Sequence, residues 1–278
     1  MTSAIKFSVL LPLYFKEDTK VLTQCFESLL EQTLPVPQVV LVIDGPVRDE
    51  LLDVVARFKP KFLSFKILQL PENRGLANAC NVGILECDHE LIARMDTDDI
   101  CYPQRFHEQI PIMHANPSLS ALGSATQEFN HLPGDLGIYR QPPTSIDKIR
   151  KWAKFRNPIN HPSVVFRKSD VLKVGGYRVD LVNFDDYFLW ITLLQKGYQI
   201  ENLKISLVHC RIGNDMIGRR QGWTYLKYEL QFLAEARKLG FLNFSQQLIS
   251  IFTRIPSRIL PKSILQPVYL FFLRNNKK

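Results

Sequence analysis

The first hundred residues alternate short apolar runs with amphipathic stretches, and this alternation constrains the fold more than any other feature. FSVLLPLY (7–14) and QVVLVIDG (38–45) are apolar runs that end in polar residues, as buried strands do. TKVLTQCFESLLEQT (19–33) repeats apolar residues at helical spacing, with Thr19 as a possible N-cap. Further strands are predicted at 65–70 and 90–96, and further helices at 48–59 and 74–87. The pattern predicts an α/β fold: an open, mostly parallel sheet with helices on both faces.

Polar side chains follow the predicted strands. They are Tyr14, Asp44, the pair Asn73 and Arg74, and Asp96 with Asp98. In open α/β sheets ligands bind beyond the carboxyl ends of the strands. The sequence therefore predicts one binding site at this edge of the sheet.

The stretch RMDTDDICYP (94–103) places three carboxylates, Asp96, Asp98 and Asp99, within four positions. Such an oxygen-rich cluster suits Mg²⁺ or Mn²⁺, and Mg²⁺ is usually held by one or two carboxylates together with substrate phosphates. An acidic solvated turn, or a charge cluster before a helix in PQRFHEQI, would produce the same pattern. The triplet by itself leaves these alternatives open.

The second half of the chain is less regular. ALGSATQEF (121–129) and HPSVVFRKSDVL (161–172) are predicted as strands of a mixed sheet. FDDYFLWITLLQKG (184–197) and TYLKYELQFLAEARKLG (224–240) have helical spacing and end at glycine.

The ordered series NRGLANACNVGI, RMDTDDICYPQRF, NHPSVVFRK, GGY and FDDYFLW, over nearly the whole chain, resembles family-2 glycosyltransferases with the GT-A fold. The similarity is to bacterial capsule, exopolysaccharide and O-antigen enzymes, and RIGNDMIGRRQG with the basic tail resembles the amylovoran-type branch. The resemblance implies inverting, metal-dependent transfer of a hexose, glucose or galactose, from a UDP-sugar. It implies an acceptor sugar on polyprenyl diphosphate, at the cytoplasmic face of the bacterial inner membrane.

The resemblance also assigns the donor site residue by residue. It implies that Tyr14 and Glu17 contact the nucleotide, that Asp44 binds uracil, and that the Asn73-Arg74-Gly75 loop lies under base and ribose. It places Asp96 near the ribose and makes Asp98 the ligand of Mn²⁺ or Mg²⁺, with Asp99 supporting Asp98 or capping the next helix.

The resemblance identifies Asp186 as the catalytic base, with Asp185 where the family usually has Glu. Inversion needs a base on the acceptor hydroxyl, and the departing diphosphate needs positive charge. A pair of helix N-caps is the alternative for Asp185 and Asp186, and both roles are compatible.

The segment after the last predicted core strand departs from the pattern of many family members. Cys210-Arg211-Ile212-Gly213 lacks the late histidine of many relatives, so no late metal ligand is assigned, and Arg219 with Arg220 is expected on the diphosphate. A solvated basic patch is the alternative for this arginine pair.

His161, Asp185 and Trp190 are assigned to the donor sugar or the acceptor, and His161 and Trp190 each have a structural alternative. His161 could instead be hydrogen-bonded to backbone, and Trp190 could belong to the core because it lies at helical spacing from Asp186.

The formal charge of +8 is concentrated at the C-terminus. Residues 236–278 hold eight of the 35 Lys and Arg residues and no acidic residue, and the remaining 27 balance the 27 Asp and Glu. A general nucleic-acid-binding surface is therefore not expected.

We expect a catalytic domain over 1–222 and a basic amphipathic segment over 223–278. This segment is expected to lie on anionic lipid and to be broken by Pro256, Pro261 and Pro267. A helical hairpin packed on the catalytic domain is the alternative.

Other features bound the compartment and the function class. No apolar run reaches the length of a membrane span, and five cysteines without metal-type spacing fit a reduced, cytoplasmic protein. A sugar nucleotidyltransferase and an inactive, membrane-bound assembly subunit are the two rival functions. The absence of a Gly/Lys-rich phosphate loop argues against the first, and the intact Asp98 and Asp186 argue against the second.

Overall fold

The structure, a computed structural model, describes residues 5–212, 221–259 and 275–276. Its strands are β1 (Phe7–Leu13), β2 (Gln38–Ile43), β3 (Phe65–Gln69), β4 (Leu91–Arg94), β5 (Ile100–Cys101), β6 (Leu119–Phe129), β7 (Ile138–Arg140), β8 (Val165–Arg167), β9 (Gln199–Arg211) and β10 (Asn275–Asn276). Its helices are α1 (Thr19–Leu30), α2 (Asp49–Phe58), α3 (Leu76–Glu86), α4 (Arg105–Ala115), α5 (Ile146–Trp152), α6 (Lys168–Lys173), α7 (Asp185–Gln195), α8 (Gly222–Lys238) and α9 (Phe244–Ile259).

The first half of the sheet is parallel, as the alternating pattern predicts. β1 lies between β2 and β4, β3 lies outside β2, and all these pairs are parallel. The N-cap of α1 was predicted wrongly: Asp18, not Thr19, accepts hydrogen bonds from the amides of Lys20 and Val21. Because the strands run the same way, the residues that follow β1, β2 and β4 meet at one edge.

The second half of the sheet is mixed. β8 is antiparallel to both β4 and β6, whereas β6 and β9 are parallel with irregular register. The predicted strand over 161–172 is wrong at both ends. His161–Ser163 forms a 3-10 turn, the strand covers only Val165–Arg167, and α6 begins at Lys168.

Helices cover both faces of the sheet, as predicted. One hydrophobic cluster packs α1, α2 and α4 on the face that includes Leu11 and Leu41. The other cluster packs α3, α5, α6, α7 and α8 on the face that includes Leu10 and Val42. The two faces give independent cores on either side of the strands that carry the site.

The C-terminal region forms a helical hairpin, α8 and α9, on the second face. Phe232 of α8 stacks on Phe184 and packs against Tyr187, so α8 shares the core of α7. The predicted break of this region at Pro256 is wrong, because α9 continues to Ile259. Pro261 and Pro267 lie outside the described residues.

Two of the tail's arginines face inward. Arg254 and Arg258 pair with the carboxylate of Glu229 at 2.5 and 2.6 Å, and Glu229 is almost fully buried. This packing agrees with the hairpin alternative for α9. Lys262, Arg274, Lys277 and Lys278 lie outside the described residues. Among the described residues, every helix is too short or too polar to cross a bilayer.

Candidate active site

The acidic loop after β4 brings its three carboxylates together. Asp96, Asp98 and Asp99 each offer an oxygen, and these oxygens lie within 4.8 Å of one another. Burial, followed by repulsion from Asp96, raises the pKa of Asp98 to about 7. Burial and the charge of Asp98 also raise the pKa of Asp99 well above its ordinary value. Crowded hard oxygens whose charges are poorly compensated fit a divalent cation.

Arg94, the last residue of β4, holds the first of these carboxylates and was missed by the sequence prediction. Its side chain is fully buried and donates from both terminal nitrogens to Asp96, at 2.8 Å from Nη1. Burial lowers the pKa of Arg94, but Asp96 and other neighbours more than offset this, so the pKa is raised. The signal in the sequence was a charged residue at the end of an otherwise apolar strand.

Arg211, at the end of β9, holds the other end of the acidic loop. Its amide donates to Asp99 Oδ1 at 2.9 Å, and its Nε donates to the carbonyl of Asp98 at 3.2 Å. Its Nη2 donates to Gln24 of α1 at 2.8 Å. Asp99 therefore binds β9 and does not cap α4, which begins at Arg105 without a side-chain cap. Its position beside Asp98 agrees with the supporting role.

The loop after β3 is attached to the end of β2 through Asp44. The two carboxylate oxygens of Asp44 accept from the amides of Arg74 and Gly75 at 2.8 and 2.9 Å. Asn73 Nδ2 donates to the carbonyl of Asp44 at 3.2 Å. Gly45 has φ +84, and a Cβ there would lie 2.5 Å from the amide nitrogen of Asn73. The structure thus brings Asp44, Asn73 and Arg74 together at one edge of the sheet.

Glu17 lies beside the acidic loop, while Tyr14 is exposed at the end of β1. Glu17 Oε2 accepts from the Thr97 hydroxyl at 2.7 Å, and Arg48 donates to the carbonyl of Glu17 at 2.7 Å. Burial raises the pKa of Glu17 despite the Thr97 hydrogen bond. Glu17 therefore adds a fourth carboxylate to the neighbourhood of Asp96.

Asp185 and Asp186 occupy the first turn of α7, and Phe184, not an aspartate, is the N-cap residue. Asp186 Oδ2 accepts from Asn157 Nδ2 at 2.6 Å, and Oδ1 accepts from the amide of Tyr187 at 2.7 Å. Asp185 is 7% exposed, and its Oδ2 has no hydrogen-bond partner. The N-cap alternative is therefore wrong, and Asp186 is the better positioned and more accessible carboxylate. No periodicity in the sequence could have indicated Asn157.

Burial raises the pKa of both α7 carboxylates. For Asp185 the value rises to about 7, through burial and then the charge of Asp186. Burial raises the pKa of Asp186, and the Asn157 hydrogen bond partly opposes it. The positive charge of Arg94 lowers the pKa of Asp98 as well as those of Asp185 and Asp186. The buried guanidinium of Arg94 therefore acts electrostatically on both the acidic loop and the start of α7.

The side-chain hydrogen bond of His161 is to a tyrosine hydroxyl, whereas the structural alternative expected a backbone partner, and Trp190 lies in the core. His161 Nε2 lies 2.9 Å from the Tyr177 hydroxyl, and burial, followed by the charge of Arg94, lowers the pKa of His161 well below its ordinary value. Trp190 is fully buried in the core, so in this structure it cannot stack on a sugar. The structure therefore supports the alternative that Trp190 belongs to the hydrophobic core. Arg219 and Arg220 lie outside the described residues.

Comparison with other sequences identifies the family. The profile described as glycosyl transferase family 2 matches residues 8–175. An uncharacterized glycosyltransferase of Haemophilus influenzae is 42% identical over 97% of this chain and 100% of its own length. The amylovoran biosynthesis glycosyltransferase AmsE of Erwinia amylovora is 39% identical, over 95% of this chain and 97% of its own. The UDP-Gal:alpha-D-GlcNAc-diphosphoundecaprenol beta-1,3-galactosyltransferase of Escherichia coli is 34% identical over 97% of both.

Solved structures share the fold. S. aureus TarS 1–349 in complex with UDP-GlcNAc matches with a TM-score of 0.67 at 16% identity, over 96% of this chain and 73% of that one. The mannosyltransferase PcManGT from Pyrobaculum calidifontis, in complex with GDP-Man and Mn²⁺, matches with a TM-score of 0.64 at 17% identity, over 96% and 80%. The fold is therefore GT-A-like, with its mixed sheet and its helices on both faces. With the family profile and near-full-length relatives in agreement, this chain belongs to glycosyltransferase family 2.

Proposed function

We propose that this glycosyltransferase moves a hexose, glucose or galactose, from a UDP-sugar to an oligosaccharide on polyprenyl diphosphate. The transfer inverts the anomeric carbon, uses Mn²⁺ or Mg²⁺, and builds a surface polysaccharide such as O-antigen or capsule. The enzyme acts at the cytoplasmic face of the inner membrane. The observation that carries the proposal is the cluster of Asp96, Asp98 and Asp99 after β4, whose oxygens lie within 4.8 Å of one another, together with the carboxylates Asp185 and Asp186 in the first turn of α7.

The donor half of the site is the edge formed by β1, β2 and β4. Asp44 and the Asn73–Gly75 loop receive the base and ribose, with Tyr14 and Glu17 beside them and Asp96 held toward the ribose by Arg94. Asp98 is the metal ligand, because Asp96 is engaged by Arg94 and Asp99 by Arg211. A bound divalent cation supplies positive charge for the departing diphosphate. Arg219 and Arg220 are proposed to assist at the same diphosphate.

Asp186 is proposed as the general base. Its carboxylate is held from both sides, by Asn157 and by the Tyr187 amide, which restricts its orientation. Each carboxylate oxygen retains a second lone pair that can accept a proton from an acceptor hydroxyl. Asp185 is less exposed than Asp186, and burial raises the pKa of Asp186, which makes the ionised Asp186 carboxylate a stronger base.

The relatives support the acceptor class. The E. coli relative is named for transfer of galactose to GlcNAc-diphosphoundecaprenol, and the similarity to it extends over 97% of both chains. AmsE is named for amylovoran biosynthesis, which supports a polysaccharide as the product class. The nucleotidyltransferase alternative loses its basis with membership of family 2, and the carboxylates in both halves of the site argue against an inactive subunit.

The test is UDP release from candidate donors with a synthetic GlcNAc-diphosphate lipid of short chain. We expect release from UDP-glucose or UDP-galactose that needs both the acceptor and Mn²⁺ or Mg²⁺, and a product of inverted anomeric configuration by NMR. Asp186→Asn serves as the control, because it keeps the shape of the side chain. Release of pyrophosphate, or no UDP release from any donor, would show that the proposal is wrong.

A further inference from the structure

Helix α9 packs one side on the protein and leaves large apolar side chains on the other side in water. Ser250 is fully buried, Ile251 packs against the core, and Arg254 with Arg258 reaches inward to Glu229. Phe252 is 72% exposed and Ile249 is 50% exposed, and residues three positions apart lie on the same face of a helix. Adjoining exposed apolar side chains on one helix face indicate an interaction surface.

A second segment, Lys148–Phe155, presents cations and aromatic rings together. Lys148, Arg150 and Lys151 are exposed, as are Trp152 and Phe155. Asp147 is the nearest acidic residue in sequence, yet across residues 5–212 and 221–259 no salt bridge joins an acidic side chain to any of these three cations. Unpaired cations beside exposed aromatic rings are typical of surfaces that meet lipid headgroups and the acyl boundary.

Contacts hold these two segments side by side. Lys154 Nζ donates to Gln246 Oε1 of α9 at 3.2 Å, and Arg254 Nη2 donates to the carbonyl of Phe155. We call the outer face of α9 and the segment Lys148–Phe155 together the docking surface. The docking surface therefore combines an apolar part on α9 with a cationic part on a neighbouring segment that is in contact with α9.

The docking surface is directly linked to the proposed base. Tyr187, the residue after Asp186, donates its hydroxyl to the carbonyl of Ala153 at 2.8 Å. Asn157, two residues beyond Phe155, donates to Asp186. The segment that carries the cations of the docking surface is therefore in contact with the start of α7, where the proposed base lies.

We propose that the docking surface binds an anionic phospholipid bilayer, with Phe252 and its neighbours in the acyl boundary and Lys148, Arg150 and Lys151 against anionic headgroups. The inference rests on the proposed function for one point only, that the acceptor is linked to a lipid. It differs from attachment through the basic C-terminus, because Arg254 and Arg258 are used inside the hairpin. Charge complementarity favours lipid over a second copy of this chain, since two like cationic surfaces repel each other.

The test is co-sedimentation of the full-length protein with vesicles of phosphatidylethanolamine containing one third phosphatidylglycerol. Each cation near an anionic leaflet strengthens binding about fivefold, so Lys148→Gln with Lys151→Gln is expected to weaken the partition about 25-fold. Phe252→Ser is expected to weaken it about tenfold or more, through lost apolar burial. Added salt should strongly weaken vesicle binding by the Phe252→Ser variant, because that variant keeps the cations whose attraction salt screens. Salt should have little effect on vesicle binding by the double-lysine variant.

Matched controls lie on the other face of the sheet. Lys59→Gln with Lys61→Gln removes the same charge from the turn after α2, and Leu63→Ser removes an exposed apolar side chain there. Both controls should bind vesicles as the unmodified protein does. UDP release with a soluble acceptor, measured on the same variants, tests the proposed function separately, because loss of lipid binding should leave it unchanged.

Three results would overturn the inference. They are full-length protein that does not bind the vesicles, surface variants that bind as tightly as the controls, and dissociation of a dimer by Phe252→Ser in lipid-free sedimentation. The last would assign the face to a second copy of this chain.

Discussion

Replacing Asp98 by Asn should stabilise the apo protein and at the same time abolish its metal-dependent donor binding. In the folded chain the pKa of Asp98 rises from 3.8 to about 7, through burial and the charges of Asp96 and Glu17. The folded state therefore holds a proton that the unfolded chain releases near pH 4. The free energy of unfolding therefore falls as the pH rises from about 4 to about 7. Above pH 7 it stays at this lower value.

The magnitude follows from the same pKa values. At about 1.4 kcal/mol for each pKa unit, the rise to about 7 corresponds to about 4 kcal/mol, and sharing of the penalty with Asp99 reduces it to about 2–4 kcal/mol. At about 2 °C for each kcal/mol in a chain of this size, Asp98→Asn should melt at least about 4 °C higher at pH 8. Near pH 4 the two proteins should melt alike, because wild-type Asp98 is then protonated in the folded state.

The assay is thermal melting at both pH values, with and without Mn²⁺ and UDP. Ligand that binds only the folded state raises the melting temperature, so wild type should gain stability at pH 8 and the variant should not. Asp53→Asn, on an exposed face of α2, is the matched control and should behave as wild type does. A variant less stable than wild type at pH 8, or one that still gains stability from Mn²⁺ and UDP, would refute the assignment of Asp98.

The remaining predictions concern the base and the hairpin. Asp186→Asn should preserve UDP-sugar binding in calorimetry and reduce kcat about 10²–10⁴-fold; near-normal turnover would transfer the role to Asp185. Glu229→Ala should lower the free energy of unfolding by about 3–5 kcal/mol in a denaturant titration, because two partly buried arginines lose their carboxylate, whereas an unchanged midpoint would contradict that ion-pair assignment. Truncation after Gly240 removes α9 and should lower the melting temperature as well as vesicle binding; an unchanged melting temperature would mean that α9 does not stabilise the core.

The edge that we propose for the donor could be predicted from the sequence because it depends on local patterns. Buried parallel strands end in polar residues at one edge, so Asp44, Asn73 and Asp96 had to converge once β1, β2, β3 and β4 formed one parallel sheet. The start of α7 was likewise visible from the helical spacing after Asp186. The spacing of apolar residues also predicted the two helical layers, because it indicates which side chains are buried on folding.

Other outcomes required the tertiary structure, because they depend on partners distant in sequence. Trp190 lies at a spacing that fits a site or a core, and only packing places it in the core. Arg94 and Asn157 have no motif of their own, and they matter because Asp96 and Asp186 lie within hydrogen-bond distance.

The C-terminal region shows the same division most clearly. Composition alone determined that the chain is basic after residue 236, that it has no acidic residues there, and that apolar residues are interspersed with the charges. The tertiary structure decided which side of α9 meets the protein: Glu229, near the middle of α8, draws Arg254 and Arg258 inward and leaves Phe252 outside. A buried carboxylate must be paired, and this requirement outweighs the exposure of apolar side chains on the opposite face.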